Sequence, residues 1–122
     1  MKQSNQTFLK AFANALNGMR YFFLHERNGK IQISIAIITV VAAIGFGVTV
    51  AEWSVILFCI AAVISLEMLN SALEKLCDLV QEEYHPVIKI VKDVAAGAVL
   101  WAAIISAVIG LIIFLPKIYV LL

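Results

Sequence analysis

The stretch from Val94 to Leu115 contains no charged residue, and this constrains the chain more than any other feature. A helix needs about 20 mainly apolar residues to cross the hydrocarbon core of a bilayer, and this stretch qualifies. A second run, residues 31–50, qualifies too, with mild interruptions at Gln32, Ser34, Thr39 and two glycines. A third opens at Trp53 and stays apolar only to Leu66. Helical periodicity then continues through Met68, Leu69, Ala72, Leu73, Leu76, Leu79 and Val80. The pattern predicts one long helix over 53–80, its first half in lipid and its second half emerging into water. Tyr84-His85-Pro86 ends it, because proline cannot continue a helix and disfavours helix in the residue before it.

Composition agrees. The 122 residues are 63% hydrophobic and 14% charged, against about 45–50% and about 25% in soluble domains. A small domain buries too little of its surface to hide this excess from water, so the excess faces lipid. The N-terminal segment, residues 1–28, is different. Within it, from Asn5 to Leu24, Phe8, Phe12, Ala15, Leu16, Met19 and Phe23 recur at helical spacing beside Lys2, Lys10 and Arg20. This suits a helix lying in the membrane interface, and equally one packed on its own bundle. No signal peptide is expected, since this segment has no short apolar core. Cys59 and Cys77 are far apart and read as packing residues. The expected fold is a single all-α membrane domain over 1–122: an amphipathic surface helix followed by membrane helices at 31–50, 53–80 and 94–115.

Orientation follows from the basic residues. Lys2, Lys10, Arg20, Arg27 and Lys30 precede the first span, and Lys75, Lys89 and Lys92 fall between the second and third. The expected turn at residues 49–52 has none, and only Lys117 follows the third span. The positive-inside rule makes the rich side cytoplasmic. The N-terminus is then expected inside and the C-terminus outside.

The second helix carries the chemistry. Glu67, Asn70, Glu74 and Asp78 are spaced i, i+3, i+7 and i+11. At about 100° per residue they form one stripe roughly 80° wide. A carboxylate inside a membrane helix is costly and marks a functional site by default. A solvated helix face would account for Asp78 but not for Glu67, which is flanked by Leu66, Met68 and Leu69. Glu26, Arg27 and Lys30 before the first span, and Lys92-Asp93 before the third, fall at the same membrane surface. This inventory suits a magnesium–nucleotide site: carboxylates for the hard cation, cations for phosphate, and Glu67 at the apolar boundary to take a proton from a lipid hydroxyl. No standard nucleotide motif is present. Gly29-Lys30 is followed by Ile31, Leu24 stands where a P-loop needs its first glycine, and there is no GxGxxG. His25 and His85 read as surface or packing residues, although His85, beside Tyr84 and Pro86, is placed to contact nucleotide.

Glu67-x-x-Asn70-Ser71-Ala72-x-Glu74-x-x-x-Asp78, then Glu83-Tyr84-His85, then Lys92-Asp93 with Ala95-Ala96-Gly97-Ala98-Val99-Leu100, strongly resembles the prokaryotic integral-membrane diacylglycerol kinase and undecaprenol kinase family. The resemblance covers nearly the whole chain. It implies a homotrimer in a bacterial inner membrane, with active sites shared between subunits, that transfers the γ-phosphate of ATP to a lipid alcohol with Mg²⁺ as cofactor and no nucleic-acid partner. By position, Glu67 resembles the catalytic base and Glu26 and Glu74 the metal ligands. Asn70, Glu83, Tyr84, His85, Lys92 and Asp93 resemble nucleotide contacts, with Arg20, Asn28, Lys30 and Asp78 in support. Glu26-Arg27-Asn28-x-Lys30-Ile31, Ala51-Glu52-Trp53 and Tyr84-His85-Pro86 look more like the undecaprenol branch than the diacylglycerol branch. Gln32 departs from that branch, which often has histidine there. Two other classes compete. A proton- or ion-coupled subunit would need polar groups through the bilayer, yet the first and third spans carry no charge. A structural adaptor would leave the acidic stripe unexplained.

Overall fold

The computed structural model describes residues 7–122, which form four helices: α1 (Phe8–His25), α2 (Arg27–Phe46), α3 (Val50–Val80) and α4 (Pro86–Leu121). Three of them, α2, α3 and α4, are long and apolar enough to cross a membrane. Lys2 and Asn5 lie outside the described residues.

Each boundary has a local cause. Thr7 caps α1, its hydroxyl accepting from the Lys10 N–H at 3.2 Å. Glu26 then breaks the helix with extended backbone (φ −93°, ψ 133°), and α2 starts at the next residue. Gly29 makes this corner tight. A Cβ there would collide with the backbone carbonyl of Phe22, so α1 and α2 approach each other through a missing side chain.

The first membrane helix begins and ends earlier than its expected 31–50. Its apolar run continues to Val50, but Gly47 adopts a left-handed conformation (φ 64°) that stops it at Phe46. The Gly47 and Val48 N–H groups close the end onto the Ile44 and Ala43 carbonyls at 3.2 Å. The turn is therefore at residues 47–49 rather than 49–52. Val50, Ala51 and Glu52 belong to α3 because Thr49 and Glu52 form a capping box. The Thr49 hydroxyl accepts from the Glu52 N–H at 3.1 Å, and the Glu52 carboxylate accepts from the Thr49 N–H at 2.9 Å.

At the other end His85 caps α4, its Nδ1 accepting from the Val87 N–H at 3.2 Å, with Pro86 in the first turn where its missing donor costs nothing. α4 thus starts well before the charge-free stretch that marks its membrane span.

The small buried core lies near the α2–α3 turn. Ala43, Val48, Ile56 and Ile113 pack together, flanked by Trp53, Ile60, Ile109 and Phe114. Lys117 of α4 pins this end by pairing with Glu52 at 3.0 Å. At the opposite end α3 (31 residues) outruns α2 (20 residues) by about three turns. Together with α4 it projects beyond the level where α2 begins.

Candidate functional site

The site forms where this overhang meets the membrane bundle. The buried residues of α3 are Ile56, Val63, Glu67, Asn70, Ser71 and Cys77. They share one helix face, so the stripe that packs against the rest of the chain runs straight into Glu67 and Asn70. Both are over 90% buried. Asn28, in the first turn of α2, faces the Glu67 carboxylate. Yet among the described residues Glu67 Oε2 and Asn70 Oδ1 have no hydrogen-bond partner. A buried acceptor left unpaired costs about 1–3 kcal/mol, and buried polar groups are nearly always satisfied. Two such acceptors one turn apart are therefore a departure that packing does not explain.

Glu74 lies on the same face of α3 but is exposed, because it sits two turns beyond the point where Asn28 meets Glu67. Asp78, further out, is ion-paired with Lys92 of α4 at 2.6 Å. Lys89 holds Asp93 at 2.6 Å on the same helix. Glu26, at the α1–α2 corner, pairs with Lys75 at 3.3 Å. Of the carboxylates expected to converge, three are thus held in separate ion pairs, with Glu67 and Glu74 outside them. Arg20, Lys30, Glu83 and Tyr84 are exposed. The side chain of His85 is engaged in capping α4.

Sequence reasoning gave no site role to Lys75, Tyr21 or Ser71. Lys75 contacts Glu26 and stacks its ammonium 5.7 Å from the Tyr21 ring centroid. Periodicity could have placed Ser71 on the buried face beside Asn70. Nothing local links Lys75, on α3, to Glu26, at the α1–α2 corner.

On the bilayer side of Glu67 an apolar groove of about 390 Å³ runs between α2, α3 and α4. Val63 and Ile64, one turn before Glu67, line its upper part, and Ile109 and Phe114 line its far end. A carboxylate with one unpaired oxygen therefore stands between an apolar groove and a charged overhang. This arrangement can receive a molecule with an apolar body and a hydroxyl at its tip, and can take a proton from that tip.

Among the described residues no three His, Cys, Asp or Glu side chains gather as a metal site, so any Mg²⁺ bound here would rest on one or two carboxylates, such as Glu26 and Glu74, whose oxygens suit a hard cation. A magnesium ion carried by a nucleotide needs just one or two protein carboxylates, the phosphates and water supplying the rest.

Comparison with known proteins gives this geometry a family. The chain is 39% identical over 110 residues to an undecaprenol kinase of Bacillus subtilis, covering 90% of this chain and 89% of that one. It is 38% identical over 109 residues to a diacylglycerol kinase of Synechocystis, covering 88% of this chain and 62% of that longer protein. It is 28% identical over 90 residues to a diacylglycerol kinase of Helicobacter pylori, covering 73% and 70%. The profile described as prokaryotic diacylglycerol kinase matches residues 13–114, which include Glu26, the whole of α3 and the Lys92-Asp93 pair. With three apolar helices and a match over most of its length, this multi-pass membrane chain belongs to the prokaryotic diacylglycerol kinase family.

Proposed function

We propose that the protein is an ATP-dependent lipid kinase that phosphorylates the primary hydroxyl of undecaprenol. The observation that carries this reading is the buried carboxylate oxygen of Glu67, without a partner among the described residues, one helical turn beyond Val63 and Ile64 of an apolar groove. The isoprenoid tail lies along the groove and brings the hydroxyl to Glu67. Glu67 accepts the hydroxyl proton as the lipid oxygen bonds to the γ-phosphorus. The bond from that phosphorus to the β–γ bridging oxygen breaks, and ADP leaves. Asn70, its amide carbonyl unpaired, and Asn28 orient the reacting groups. Lys92, Asp93 and the Glu83-Tyr84-His85 loop contact the nucleotide, with Arg20, Lys30 and Asp78 in support. Glu26 and Glu74 would hold Mg²⁺, which would offset phosphate charge when bound with ATP. Holding these groups at the bilayer surface excludes water from the acceptor side, favouring transfer to lipid over hydrolysis.

The finer assembly belongs to the same proposal. α1 lies in the membrane interface, with Phe8, Phe12, Leu16 and Met19 all exposed within one chain. The N-terminus is cytoplasmic, the C-terminus is outside, and three chains share their sites. Sharing is supported by the openness of a single chain, whose overhang leaves Glu74 uncovered.

The choice of undecaprenol rests on the Bacillus relative, which matches over nearly its full length. Diacylglycerol is the second reading, favoured by the names of the other two relatives. The test is transfer of labelled γ-phosphate from MgATP in mixed micelles, with the two lipids side by side. Higher kcat/KM with undecaprenol is expected. Higher kcat/KM with diacylglycerol would move the chain to the other branch, and no transfer from folded protein would refute the kinase.

A further inference from the structure

Lys75 follows Glu74 directly, so it projects about 100° around α3 from it, toward α1. Its ammonium sits 3.3 Å from Glu26 Oε1 and 5.7 Å from the Tyr21 ring centroid. The Glu26 backbone is held on both sides. Its N–H donates to the Phe22 carbonyl at 3.2 Å, and its carbonyl accepts from the Lys30 N–H at 3.1 Å. The Glu26 side chain makes no cap hydrogen bond to α2, so among the described residues Lys75 is the partner that orients it.

The two ends of this pair differ. The Glu26 side chain is 22% exposed and the Lys75 side chain 56% exposed. The lysine can leave and the glutamate cannot follow. A recess of about 290 Å³ between α1 and α3, lined by Gly18, Tyr21, Glu26, Ser71 and Lys75, gives it room to swing. The face of Tyr21 offers the ammonium a second seat. An ammonium and a divalent cation repel each other, so both cannot occupy Glu26 Oε1 at once.

We infer that Lys75 is a displaceable counter-ion that holds the Glu26 carboxylate in place and competes with the divalent metal for it. This rests on the reading of Glu26 as a metal ligand. Lys75 is then a positioning residue that acts through Glu26. Bare metal must expel the ammonium and receives nothing in return. Metal arriving with a nucleotide brings phosphate charge to which the released ammonium can turn. The exchange therefore biases the site toward loading metal together with nucleotide.

The test is Mn²⁺ binding without nucleotide to the full-length protein in detergent micelles, with free Mn²⁺ read by electron paramagnetic resonance. Lys75→Met should bind Mn²⁺ about threefold more tightly than the unsubstituted protein, the scale of a partly exposed ion pair. Lys75→Arg, which keeps the pair, should bind as the unsubstituted protein does. A tightening is not an effect that misfolding produces, and helical content by circular dichroism checks each variant. Unchanged or weaker binding in Lys75→Met, with Glu26→Gln weakening Mn²⁺ binding, would overturn the competition while leaving Glu26 a ligand. Binding unaffected by Glu26→Gln would instead refute the ligand reading on which the inference stands.

Discussion

Glu67 carries a cost that contacts among the described residues do not offset. One of its carboxylate oxygens is buried and unpaired, and Asn70 Oδ1 repeats the pattern one turn on. Replacing Glu67 should therefore separate activity from stability. Glu67→Gln is expected to lower kcat by about 10²–10⁴-fold, the scale of a lost general base, with helical content unchanged. Glu67→Leu should be equally inactive yet more resistant to unfolding by about 1–3 kcal/mol, because an unsatisfied buried group has been removed. Phosphate transfer and unfolding in sodium dodecyl sulfate, measured on the same preparations, check both. Retained activity in Glu67→Gln would remove Glu67 from the chemistry. The sequence made this residue legible, since a glutamate among Leu66, Met68 and Leu69 stands out. It did not make the pairing of Glu26 legible, because Lys75 lies far along the chain, on α3.

At the scale of the elements, two close fits hold the helices in register. The α1–α2 corner depends on Gly29, whose absent Cβ leaves space for the Phe22 carbonyl. Gly29→Ala must push the two helices apart, with an expected loss of about 1–3 kcal/mol, the usual penalty for overpacking. Glu26 sits in that corner, so the variant should also raise the Mg²⁺ concentration needed for half-maximal activity. An unchanged Mg²⁺ requirement would show that the corner does not position the glutamate. At the far end Glu52 has two tasks, closing the capping box and pairing with Lys117. Glu52→Ala should cost more than Lys117→Ala, since it loses a cap contribution of about 1 kcal/mol as well as the ion pair that both variants lose. Equal unfolding midpoints for the two variants would show that the capping box contributes nothing measurable.

The whole molecule is defined by an asymmetry between its ends. The buried core is near the α2–α3 turn, while the charged groups collect around the overhang of α3 and α4. If that overhang is cytoplasmic, a cysteine replacing Glu82 should resist membrane-impermeant maleimide in intact cells, and one replacing Val120 should react. Cys59 and Cys77 would first be replaced by alanine. The reverse labelling pattern would invert the topology. Many large apolar side chains of α2, α3 and α4 are exposed in one chain, as lipid contact or packing between copies requires. Mass measurement in a mild detergent should give three copies, and a monomer retaining full activity would argue against shared sites.

By itself the sequence determined the helical class, the three spans, the charge asymmetry and the acidic stripe. Each depends on local periodicity or on the transfer cost of a single residue type. It misplaced the first turn because apolar character continues past Gly47, whereas the chain reverses where a residue can adopt a left-handed backbone. The tertiary structure decided which acidic residues are paired and which are left open. Glu67 and Glu74 share a helix face, but one is buried and the other exposed, because α2 begins between their levels. Burial and ion pairing depend on which other helix stands opposite, and residues far apart along the chain settle that.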